Sequence, residues 1–280
     1  LTIGFENVAI GKNALGEDVD GAENIAIGRS AMSSTTNARA SVAIGYNALQ
    51  NLNYGSLTYT HNIGIGFTAG ALITSGVQNT IIGGLAGDAL TTGNKNVAIG
   101  YNALSTEDTQ GNTVAVGFEA LKNQNATAIS YNVAIGSSAG SQVTTGTNNT
   151  IIGGLAGDAL TTGSQNVALG YAALSAEDTG SRNVAIGYFS LVNQNYDGNA
   201  YNTAVGHASG QNVTTGIGNS ILGGAAADAL TTGSFNVAIG AFSLSVEDTG
   251  NKSIAIGYAA LENQNNDDDN YNVAVGTGSL

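Results

Sequence analysis

The string AsnValAlaIleGly occurs at Asn7–Gly11, Asn96–Gly100, Asn132–Gly136, Asn183–Gly187 and Asn236–Gly240, with relaxed copies between. Sixteen closing glycines, from Gly11 to Gly276, follow one another mostly at 17 residues. A tandem period this short leaves each repeat too small to bury a core alone, so the fold must come from stacking. Four steps are longer: 21 residues from Gly45 to Gly66, and 19 from Gly117 to Gly136, Gly187 to Gly206 and Gly257 to Gly276. A 70-residue super-period results. Three full units cover 62–131, 132–201 and 202–271; 1–61 is a degenerate unit and 272–280 begins another coil. The chain reads as a single repeat domain, 1–280.

With each closing Gly as position zero, −1 is always aliphatic, −3 is mostly Val or Ile and −2 mostly Ala, as in Val97, Ala98 and Ile99. Strict alternation over a short run is a strand with two unlike faces. The Gly reads as a corner that needs positive φ or close backbone approach. Position +3 is Ala or Ser in all sixteen coils and +4 is usually Leu, Met or Gly, which reads as a second short strand. EDTG, TTG and NQN segments supply turns. Stacked coils of this kind make an all-β parallel solenoid of about 16 coils. Position −4 is Asn in thirteen coils, Ser41, Thr113 and Ser253 being the exceptions, and an Asn ladder bonded from coil to coil is expected. Placing the branched residues at −3 and −1 inside leaves the Ala face outward, for contact between chains. Ile81, Ile151 and Ile221, which stand at −2 once per unit, are then the candidate core of that contact.

Composition narrows the function classes. Cys is absent, which removes disulfides, thiolate zinc sites and thiol nucleophiles. Seven Lys and Arg against twenty Asp and Glu give −13, a poor match for nucleic-acid backbone or a polybasic membrane patch. No apolar run approaches ~18 residues. A first residue Leu1, with no signal peptide ahead of it, reads as a piece of a longer chain.

The repeated strings at Asn96–Gly100 and Asn132–Gly136 resemble the head repeats of YadA-like trimeric autotransporter adhesins. The longer string Asn96–Leu104 is similar to repeats in phage and algal-virus tail-fibre shafts. The resemblance covers essentially the whole chain. It implies a left-handed parallel β-roll that forms a homotrimer, which makes Ile81, Ile151 and Ile221 the candidate trimer core. It also implies a place outside the cell, on a cell surface or virion fibre, with adjoining fibre or anchor segments as partners. The coils are longer than those typical of bacterial heads, and no coiled-coil stalk or membrane anchor lies within the chain.

Residues that carry chemistry are sparse. His61 and His207 occupy different slots and read as surface substitutions. Gly83–Leu90 comes close to a calcium nonapeptide, but it recurs every 70 residues, so the stacked cage cannot form. Asp88, Asp158 and Asp228 then read as turn caps, no cofactor is expected, and calcium there is the one alternative. The acid pairs Glu107-Asp108, Glu177-Asp178 and Glu247-Asp248 recur three times and read as solvated loops rather than a hydrolytic dyad, so no enzyme is expected. The long coils have variable centres, and inserted residues are expected to bulge from the ladder. Candidate contact residues for a glycan or receptor are Tyr54, Tyr59, Tyr196, Asp197, Asn199, Asp267, Asp268 and Asp269. The reading is a structural and adhesive fibre segment. The alternatives are a polysaccharide-degrading tailspike-type enzyme and an ice-binding solenoid.

Overall fold

The computed structural model describes residues 4–280. The chain gathers into two compact units, Leu1–Ser138 and Ala139–Leu280. In the first, eight strands from Val8–Ile10 to Val133–Ile135 pair in parallel; in the second, eight from Thr150–Ile152 to Val273–Val275 do the same. Each of these sixteen strands is three residues long and stands in register with the repeat, as in Val167↔Val184, Ala168↔Ala185 and Leu169↔Ile186. The architecture is a parallel β-solenoid of about sixteen turns, with no helix among the described residues.

The closing glycines adopt φ of 124–145°. At Gly170 a Cβ would stand 2.4 Å from the carbonyl oxygen of Gly187 in the next coil. The corner therefore needs Gly both for its dihedral and for the closeness of the next turn.

The segment after the corner is not a second strand. In the coil of Gly100, Asn102 and Leu104 take φ of 55° and 52°, each separated by a residue of ordinary hand. The alternation sends N–H groups in opposite directions. Asn102 donates to Gly84 O in the coil before (3.1 Å) and Leu104 to Ala120 O in the coil after (3.0 Å). The segment thus bonds to both neighbours without a pleat. Left-handed Leu is unfavourable in isolation; here its side chain is fully buried.

The two strand faces are the reverse of the expectation. Ala98, Ala168, Ala185 and their equivalents at −2 are fully buried within their own chain. The branched residues at −3 and −1 lie on the outside, with Ile10 58%, Leu169 39%, Leu222 49% and Val275 68% exposed. Ile81, Ile151 and Ile221 are at most 1% exposed, so they fill the coil interior and do not face symmetry mates. The reason is volume. Where −2 is Ile, position +4 gives up its Leu for Gly87, Gly157 or Ala227, and a Cβ at Gly87 would meet Ile81 Cδ1 at 3.1 Å. A narrow coil holds at most one large side chain from these two positions, and Ala134 with Gly140 shows that it can hold none.

The Asn ladder forms as expected. Asn166 Nδ2 donates to Gly180 O (2.9 Å), Asn166 Oδ1 accepts from Asn183 N (2.9 Å), and Asn166 N donates to Asn149 Oδ1 (2.9 Å). Each Asn so placed closes its own coil and grips the next.

Candidate functional site

The long coils are organised from the inside. Position +7 points into the coil wherever the sequence reaches it, from Asp18 to Gln264. Through units two and three it reads Val143, Leu160, Glu177, Gln194, then Val213, Leu230, Glu247, Gln264. Glu107, Glu177 and Glu247 are fully buried and not solvated, which corrects the loop reading of the acid pairs. Their carboxylates hold the inserts. Glu247 accepts from Gly250 N (2.7 Å), Gln264 Nε2 (2.9 Å) and Asn270 Nδ2 (3.1 Å). Glu107 accepts from Gln110 N, Gln124 Nε2 and Ala126 N. Glu177 accepts from Gly180 N and Tyr196 N but from no Gln side chain. Burial raises the pKa of Glu177, against the lowering effect of those two N–H groups.

The three exceptions in the Asn ladder have a cause here. An Asn at −4 donates to the carbonyl fourteen residues on, as Asn236 does to Gly250. In the long coils that position falls within the insert. Ser41, Thr113 and Ser253 stand instead at −4, and their hydroxyls meet Thr60, Ser130 and Gln264 side chains respectively. Asn183 alone keeps the amide in a long coil, and Ala200 stands where Ser130 does in the unit before. Asn183 Nδ2 and Gln194 Nε2, both buried, have no hydrogen-bond partner. Replacing Asn183 by Thr together with Ala200 by Ser rebuilds the Thr113–Ser130–Gln124 arrangement. It is expected to raise stability by about 1–3 kcal/mol, read as an increase in the urea midpoint; an unchanged or lower midpoint contradicts it.

The loop tips are tied down rather than free. Thr58–Tyr59 pairs in parallel with Ala38–Arg39, and single bridges join Ser181 to Asn199 and Asn251 to Asp269. Three of the four inserts thus enter the ladder, contrary to expectation, through backbone partners in the coil before, while the insert before Gly136 is held at Ala126 N by the Glu107 side chain. Tyr54 is 7% exposed and donates its hydroxyl to Gly76 O (2.5 Å), with burial pushing its pKa up to about 12. It is a core pin and not a contact residue. Tyr59 is exposed, stacked on His61 at 5.9 Å with Arg39 at 5.7 Å from its ring. Tyr196 is half-buried and its ring lies against Gly198. Asp197 and Asp267 accept from Thr179 Oγ1 (2.7 Å) and Thr249 Oγ1 (3.0 Å). The carbonyl of Asp268 accepts from Asn251 N (3.2 Å). Asp269 pairs with Lys252 (2.5 Å), which holds its pKa below the usual carboxylate value. Within the second unit the tips around Asp197 and Asp268 belong to coils four steps apart in the sheet and do not converge.

Other motifs have structural explanations. In the TTG turns the first Thr spends its hydroxyl on the next coil, as Thr161 Oγ1 does on Asp178 O (3.0 Å). Asp88, Asp158 and Asp228 are partly buried, which raises their pKa. Among the described residues no group of three or more His, Asp or Glu is placed to hold a metal ion. A shallow polar depression in the first unit, lined by Asn13, Ser30, Ser33, Ser34 and Gln50, contains one carboxylate, Glu17.

Sequence reasoning missed the outermost feature, a column of exposed rings at +1. Tyr46 stacks on Phe67 (5.3 Å), Tyr101 on Phe118 (5.8 Å), Tyr171 on Tyr188 (5.6 Å) and Tyr188 on His207 (5.3 Å). The signal was present, since an aromatic or His follows the closing Gly in many coils. No protein family matches the chain, and no curated protein does.

Proposed function

We propose that the chain is a structural and adhesive segment of an extracellular fibre, three copies of a left-handed solenoid packed along a common axis. The observation that carries this is the outer stripe. In every turn −3 and −1 stand outside the coil, the strand residues on this face are mostly Val, Ile or Leu, and away from the end coils they are half-buried to exposed in the single chain, Leu222 reaching 49%. A soluble chain rarely leaves so long an apolar stripe uncovered, and such stripes mark interfaces between chains. A second copy presents the same stripe in the same register, which suits a rotationally symmetric assembly. The role is to span and present, with Tyr59, Asp197 and Asp267 to Asp269 on outward tips available to a surface glycan or receptor.

The reading is tested by mass. Light scattering should give a trimer of 27.8 kDa chains, 3 × 27.8 or about 83 kDa, that does not dissociate on dilution. A stable 27.8 kDa species overturns it.

A further inference from the structure

We propose that the third repeat unit carries a saccharide-binding slot on its outer surface, between the imidazole of His207 and the rings of Phe242 and Tyr258. The column at +1 supplies the platform. Tyr171, Tyr188 and His207 stack in three successive coils with interplanar angles of 17° and 7°. Rings so nearly parallel, one per coil, turn their faces along the stacking direction. The register continues beyond them: Ala225 N donates to His207 O (2.9 Å), Phe242 N to Gly224 O (3.2 Å) and Ala259 N to Ala241 O (2.9 Å).

The next two rungs carry no ring at +1, although Phe242 follows Ala241 on the second of them. Gly224 and Ala241 occupy the +1 position above His207, and a Cβ built on Gly224 meets nothing within 4 Å. Tyr258 resumes the column, packed edge to face with Phe242 at 5.9 Å. His207 and Tyr258 are thus three rungs apart, about 14 Å.

Two independent departures from the repeat open this one place. The other units carry Tyr101 and Tyr171 where this one has Ala241, and Leu85 and Leu155 where it has Ala225. In the first unit Tyr101 leans to 3.5 Å from the Cβ position of Gly84 and closes the equivalent gap.

The shape of the slot selects its occupant. The free face of His207 looks along the stack, so a flat protein surface laid against the coils cannot reach it. A single ring entering edge-on can. Aromatic faces attract ring C–H groups, and the outer side of the slot is open to water. A pyranose, with an apolar face and a polar rim, matches both. A nucleotide is disfavoured by the chain's charge of −13. With one stacked ring and few fixed polar groups, affinity is expected to be about millimolar. The proposal rests on the adhesive reading for its purpose; the association state tests that reading and the measurement below tests this site.

His61 and His207 are the only histidines, so their imidazole carbon–proton NMR signals form a two-peak reporter within the intact chain. Maltotriose, chitotriose and lactose are titrated to about 20 mM. At least one should shift His207 in a saturable way and leave His61 unmoved. Gly224→Tyr fills the empty rung, and Ala225→Leu restores the residue of the other units; each should weaken that response at least tenfold. No saturable shift of His207 with any of the three sugars, a response shared equally by His61, or one that persists in both variants overturns the proposal.

Discussion

Replacing Gly170 by Ala is expected to unfold the second unit or cost it more than about 4 kcal/mol, the range reserved for gross backbone conflicts. Two effects coincide. The residue sits at φ +138°, where a side chain is strained, and the new methyl would stand 2.4 and 2.6 Å from the carbonyl oxygen and carbon of Gly187. That carbonyl belongs to the rigid corner of the next coil, so relief requires two coils to part. Parting them breaks the bond Gly187 N to Leu169 O, 2.7 Å. Gly55 provides the control: a Cβ there meets nothing within 4 Å. Gly55→Ala should stay within about 0.5 kcal/mol of the parent. Urea denaturation followed by circular dichroism reads both, and equal midpoints for the two variants would refute the corner account.

Asn166→Ala carries the next largest effect. The amide is fully buried and makes two side-chain bonds, to Gly180 O and from Asn183 N, both 2.9 Å. Truncation leaves a carbonyl and an N–H unpaired in a place water does not reach. At about 1–3 kcal/mol for each orphaned group, the loss is about 2–6 kcal/mol. Asn166→Asp should be at least as damaging, because it keeps the acceptor, removes the donor and buries a charge. Thr162→Ala, at an exposed neighbour, should be close to neutral. A midpoint for Asn166→Ala that matches Thr162→Ala would mean that the ladder is incidental to stability.

Much of this fold is legible in the residues because stacking forces each position to solve the same problem sixteen times. The period, the three-residue strands, the Gly corner and the Asn ladder all follow from identity at fixed spacing. Orientation does not follow in the same way. Alternation shows that Val97 and Ala98 lie on opposite faces without saying which face is inside, and size alone favours the wrong one. The deciding clue is that no coil is large at both −2 and +4, Ile81 standing with Gly87 and Ala98 with Leu104, as an interior shared by both positions requires. The left-handed Leu104 is hidden for a different reason: nothing local favours it, and only burial and bonds to both adjacent coils sustain it.

The candidate site was less legible. Tyr54 and Tyr196 lie on equally variable segments, yet one is pinned to Gly76 and the other is half-exposed. The acid pairs EDT conceal a division in which Glu177 is buried and Asp178 is not. Ser41, Thr113 and Ser253 look like noise in the ladder until each is seen to open one of the long steps. The slot above His207 required the structure, because Ala225 and Ala241 are sixteen residues apart in sequence and meet only on adjacent rungs.

The central claim is that the outer −3 and −1 stripe is the seam between three chains. The chain has no Cys, so a spin label on Val184→Cys, in the stripe, can be compared directly with one on Thr162→Cys, on an exposed turn. Facing sheets pack about 10 Å apart, so labels at 184 should show strong dipolar coupling between chains at that order of distance, and labels at 162 should be far apart. An uncoupled spectrum at 184, with or without coupling at 162, would place the seam elsewhere or abolish it.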